Sequence, residues 1–75
     1  MIETEMKYTV ILEQGETSFG AYAPDLPGCI AAGETREEAL ELIAEAVALH
    51  IADLRKRGER IPAPHSFLET VDVAA

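Results

Sequence analysis

From Met6 to Gln14 the chain alternates: Met6, Tyr8, Val10 and Leu12 fall on one side of an extended backbone, Lys7, Thr9, Ile11 and Glu13 on the other. Period-two alternation rich in β-branched residues predicts a half-buried strand. Gln14-Gly15-Glu16-Thr17 is a turn signal, and Ser18 to Ala23 alternates again with Phe19, Ala21 and Ala23 on one face. So short a glycine-containing connection predicts a hairpin. Pro24 ends the second strand, because it has no N–H to give to a ladder. Leu26-Pro27-Gly28 reads as a tight turn, in which proline presets φ and Gly28 accepts a left-handed conformation. Cys29 to Ala32 is a short third strand, stopped by Gly33.

The period then changes. Thr35-Arg36-Glu37-Glu38 matches a capping box, with Thr35 as the cap and Glu38 expected to reach back to it. Glu37 and Glu38 also suit the positive end of a helix dipole. The helix is predicted from about Arg36 to Arg57, about 33 Å long at 1.5 Å per residue. Ala39, Leu40, Ile43, Val47, Ile51 and Leu54 form one apolar stripe, and Glu38, Glu41, Glu45 and Arg55 mark the wet side. Leu42, Ala46 and Leu49 widen the apolar face. That surplus is either a broad core face or a subunit contact. Arg55-Lys56-Arg57 sits where basic side chains complement the negative helix end, and Gly58 follows as a C-cap.

Pro62-Ala63-Pro64 stiffens the link that follows. Phe67, Glu69, Val71 and Val73 then alternate with Leu68, Thr70 and Asp72, which predicts a fourth strand. The expected fold is α+β: a small antiparallel sheet with one long helix packed on one face, in the order β-β-β-α-β. Residues 1–75 are expected to form a single domain.

Composition narrows what such a domain does. A chain of 75 residues buries only about 60 % of its unfolded surface, so oligomerisation is an expected source of stability. One cysteine allows no intrachain disulfide and fits a reducing, cytoplasmic setting. The start Met1-Ile2-Glu3-Thr4-Glu5 is polar and acidic, unlike a signal peptide, and no apolar run reaches the roughly 20 residues a bilayer needs. Net charge is −8, and residues 1–54 hold eleven acids against two bases, Lys7 and Arg36. A surface this acidic repels a phosphate backbone and attracts a basic partner, so no direct nucleic-acid binding is expected.

The chain offers little for catalysis. It has three aspartates, of which Asp53 is on the helix, so a two-metal carboxylate site is not expected. Asp25 is expected to order its own turn. Cys29 has no basic neighbour in sequence to lower its pKa and reads as a small apolar core residue. His50 and His65 are far apart and read as packing or surface residues, and no glycine-rich phosphate loop is present. No cofactor or metal is expected.

Pro24-Asp25-Leu26-Pro27-Gly28-Cys29, followed by Ala32-Gly33-Glu34-Thr35-Arg36-Glu37-Glu38-Ala39, resembles the HicB antitoxin family, as do Lys7-Tyr8-Thr9-Val10 and Gly20 in the first two strands. The resemblance covers about residues 6 to 73. It implies a partial ribonuclease-H-like fold, dimers or higher oligomers, and partnership with a small basic HicA-like RNA-cleaving toxin whose active face the antitoxin covers. Many members continue into an operator-binding domain. This chain ends at Ala75, so DNA autoregulation by it alone is not expected. Within the motif, Gly28, Cys29, Gly33, Thr35 and Glu38 are expected to define the fold. Tyr22, Asp25, Leu26 and Pro27 are the candidates for partner contact, Tyr22 because it combines contact area with a polar tip. Two alternatives stand beside the antitoxin reading: an orphan oligomeric module, and a degenerate nuclease using Asp25.

Overall fold

A computed structural model describes residues 6–74. The acidic N-terminal start discussed above lies outside the described residues. Three strands, β1 (Ile11–Gln14), β2 (Phe19–Tyr22) and β3 (Ile30–Gly33), form an antiparallel sheet in the order β1-β2-β3, and one helix, α1 (Arg36–Lys56), follows. Leu12 stands opposite Ala21, and Ala21 opposite Ala31, so the apolar positions of all three strands share one face. Helix α1 lies against that face. Ala21, Ala23, Leu26, Cys29, Ala39 and Ile43 make the buried core, with Tyr8, Val10, Leu12, Phe19, Val47 and Ile51 packed around it.

The predicted first strand is too long by five residues. Segment 6–10 is in no ladder, because Ile11 pairs with Tyr22 and β2 has nothing further to offer beyond that point. Ala23 gives its N–H to Cys29 instead, and Pro24 has none. The third strand runs one residue later than predicted and includes Gly33.

Helix α1 starts where the capping signal places it. Thr35 Oγ1 accepts from the Glu38 N–H at 3.0 Å. The reciprocal bond differs from expectation: Glu38 Oε1 accepts from the N–H of Glu34, at 3.0 Å, one residue before the cap. The far end closes as a Schellman motif. Gly58 at φ 68° donates to Arg55, and Glu59 donates to Leu54 at 2.9 Å.

The predicted fourth strand is not present. Residues 59–74 carry no regular secondary structure, and Phe67, Leu68, Val71 and Val73 are 71 % to 86 % exposed. Alternation shows that a segment could line one face of a sheet. A strand also needs ladder bonds to a neighbour, and this segment makes none with either outer strand, β1 or β3.

Candidate partner-binding surface

Between β2 and β3 the chain makes two successive tight turns that share Leu26. Leu26 N–H donates to Ala23 and Cys29 N–H donates to Leu26, each at 3.1 Å. Gly28, at φ 82°, supplies the left-handed residue that lets the second turn close onto Cys29. The shared residue points inward, and the Leu26 side chain has no exposed area.

Asp25 is drawn in beside it. Its side chain is also without exposed area. Oδ2 accepts from the backbone N–H groups of His65 at 2.8 Å and Ser66 at 2.9 Å, and Oδ1 accepts from Ser66 Oγ. His65 Nε2 lies 3.1 Å from Oδ1. The Tyr8 hydroxyl donates to Pro62 and Thr9 Oγ1 donates to Ser66 at 2.9 Å, so the stiff link is fastened to both the turn and the start of the sheet. Asp25 therefore does not order its own turn, whose bonds are all backbone. It clasps a segment some 40 residues away.

The clasp holds the Asp25 carboxyl below its ordinary range. The hydrogen bond from Ser66 Oγ is the main cause, burial opposes it, and the two backbone N–H groups and the His65 ring add to the lowering. A lowered folded-state pKa gives stability that is present above the unfolded value, near 3.8, and lost as pH falls through the folded value. Asp25→Asn is thus expected to destabilise the chain at neutral pH, with the gap to wild type narrowing below about pH 4. Thermal melts of both proteins from pH 7 down to pH 2.5 check this. A gap that stays constant with pH would detach the carboxylate charge from the clasp.

Ser66, Asp25 and His65 are the residue types of a hydrolytic triad, but the geometry differs. Ser66 Oγ and the His65 ring both address Asp25, so the hydroxyl is not paired with an imidazole base. Burial pushes the Cys29 thiol upward, which leaves it protonated and weakly nucleophilic at neutral pH. Among the described residues, no group of three or more His, Cys, Asp or Glu side chains gathers into a metal-binding cluster.

The four candidate contact residues divide. Asp25 and Leu26 face inward, so their place on an exposed surface is corrected: a leucine shared by two closed turns, and an aspartate with two N–H donors behind it, are both fully occupied within the chain. Tyr22 and Pro27 are at the surface. Tyr22 sits on the sheet face turned away from the helix, between Ile11 and Ile30 in register, and Ile30 is 72 % exposed. Ile30 was not among the candidates; the alternation of the third strand, which puts it opposite in facing to Cys29 and Ala31, is the signal that could have found it. His65 and Ser66 carry no local signal of their role.

Charge is arranged on the other side of the molecule. Glu37, Glu38, Glu41 and Glu45 are exposed along the first half of α1. At its end Arg57 is neutralised by Asp53 at 2.9 Å and Glu59 at 3.1 Å. None of the described helices is long and apolar enough to cross a membrane.

Residues 8–74 match the model of a family described as the HicB-like antitoxin of bacterial toxin–antitoxin systems. A UPF0150 protein of Thermoplasma acidophilum is 45 % identical over 76 % of this chain and 84 % of its own length. A UPF0150 protein of Synechocystis is 39 % identical over 73 % of the chain and 71 % of its own length. A protein named Antitoxin HicB 2, from Photorhabdus laumondii, is 34 % identical over 79 % of the chain. There the chain spans 42 % of the relative's length, and 43 % of that of a Haemophilus phage protein that is 33 % identical.

Proposed function

The chain belongs to the HicB-like antitoxin family, and from that premise we propose that it acts by binding and neutralising a small basic RNA-cleaving toxin of the HicA-like kind. The observation that carries this reading is the family match over residues 8–74, which includes the motif turn. The charge distribution supports it independently. An acidic helix face beside a net charge of −8 accelerates encounter with a cationic protein and disfavours contact with RNA or DNA.

The proposal makes the protein a binder, not a catalyst, working in the cytoplasm, where the free thiol of Cys29 is stable. It includes self-association into dimers or higher oligomers. It also takes the three antiparallel strands and following helix as a partial ribonuclease-H-like fold. Tyr22 and Pro27, with Ile30, are the motif-side residues free to touch a partner, and the exposed glutamates of α1 supply the field.

The test is a tagged pull-down from the source cells with mass spectrometry of what co-purifies, followed by an RNA-cleavage assay with the recovered protein. A stoichiometric basic protein whose RNA cleavage stops when this chain is added is the expected result. Cleavage that continues at a tenfold excess of this chain would overturn the antitoxin reading. Recovery of the chain alone, from cells grown under several conditions, would favour an oligomeric module without a toxin.

A further inference from the structure

Among the described residues, two features of the fold lack partners in one copy of the chain, and they match each other. The first is the segment 67–73, with Phe67 86 %, Val71 83 % and Val73 82 % exposed. The clasp at His65 and Ser66 fixes where it leaves the body. The second is an apolar trough along one flank of α1, where adjoining hollows of about 280 and 340 Å³ share Met6, Tyr8, Ala44 and Val47. It runs from Leu40, itself 49 % exposed, past Ile51 to Arg55.

We propose that the segment 67–73 of one copy lies in the trough of a second copy, and that two copies exchange these arms reciprocally. This gives the self-association put forward above a surface. It does not depend on the existence of a toxin.

Length, charge and area all fit. Leu40 to Arg55 is about 22 Å along a helix, and seven extended residues span about 20 Å. Phe67, Glu69, Val71 and Val73 share one edge of the arm. The single charge on that edge is an acid, and Arg55, which lines the trough, is in no ion pair among the described residues. Burying the phenyl and two valines removes about 400 Å² per arm, and the trough loses a similar area. Two arms therefore bury about 1,600 Å² in total, the usual size of a stable interface. The arm cannot shorten its reach by sliding, because Asp25 holds both residues just ahead of it.

The experiment uses the full chain. Light scattering at micromolar concentration is expected to give twice the chain mass, and the paired substitution Phe67→Asp with Val71→Asp is expected to give a monomer with unchanged circular dichroism. Glu69→Arg should weaken the dimer at least tenfold, and adding Arg55→Glu to it should restore most of the loss. Chains carrying Val71→Cys and chains carrying Ala48→Cys, mixed and oxidised, should form a disulfide-linked pair, with Cys29 silent because it is buried. A monomeric wild type would overturn both self-association and the arm. A dimer that survives the paired aspartates, or an Ala48→Cys, Val71→Cys double variant that closes only within one chain, would overturn the arm and leave self-association standing.

Discussion

Leu26→Ala is expected to cost about 3 kcal/mol of folding stability, lowering the melting temperature by about 15 °C in a domain this small. The side chain is fully enclosed, and with Ile43 it is one of the two largest such groups among the described residues. Truncation opens a cavity under the two turns, and the surroundings cannot easily collapse into it. The turns are closed by three backbone hydrogen bonds, and Asp25 beside them is fastened to the link. A 75-residue domain has about 4 to 11 kcal/mol in total, so the variant should be partly unfolded at 37 °C. Tyr22→Ala is the matched comparison. It removes a side chain that is 38 % exposed on the outer sheet face, and a melt within about 0.5 kcal/mol of wild type is expected. The two variants separate what the motif does for the fold from what its surroundings do for a partner. Chemical denaturation of both, read beside binding of the co-purified partner, decides it: a Leu26→Ala protein as stable as wild type would return Leu26 to the list of contact residues.

How much was visible in sequence follows from how far apart the interacting groups lie. The hairpin, the Leu26-Pro27-Gly28 turn, the Thr35 cap and the Gly58 stop are each built by residues within a few positions, and all four are where the pattern placed them. The ends of the first strand were not visible. Alternation continues through Met6 to Val10, but pairing stops at Ile11 because the facing chain turns away at Ala23. The absent fourth strand is a related case: Phe67 to Val73 has the period of a strand, but it pairs with neither outer strand of the described sheet, β1 or β3. Asp25 shows the strongest case. Its neighbours in sequence suggest an aspartate ordering a turn, while its actual donors are His65 and Ser66, brought near only after the helix has turned the chain back. Among the candidate contact residues, the exposure of Tyr22 follows from the alternation of its strand, whereas the inward turn of Leu26 depends on two turns closing around it.

Gly33→Ala is the second substitution expected to have a large effect, and its cause is steric. Gly33 is the last residue of β3, two residues before the helix cap, and the chain reverses over it so tightly that α1 sits almost on its Cα. A Cβ built there would lie 2.7 Å from the backbone N of Ala39 and 3.1 Å from the backbone C of Glu38. Neither is the end of a flexible side chain. The first turn of α1 would have to lift, and it carries both the Thr35 cap and the contact of Ala39 with the core. Overpacking against backbone costs about 2 to 3 kcal/mol, set against a gain of about 0.5 kcal/mol from the stiffer unfolded chain. Gly20, in β2, isolates the steric part: a Cβ there meets nothing within 4 Å, so Gly20→Ala should be neutral or slightly stabilising. Denaturation midpoints of the two variants should therefore move in opposite directions or differ by at least 2 kcal/mol once converted with a common slope. Equal midpoints would mean that the helix does not approach β3 this closely. The family motif would then need Gly33 for contact with a partner, not for the seating of α1.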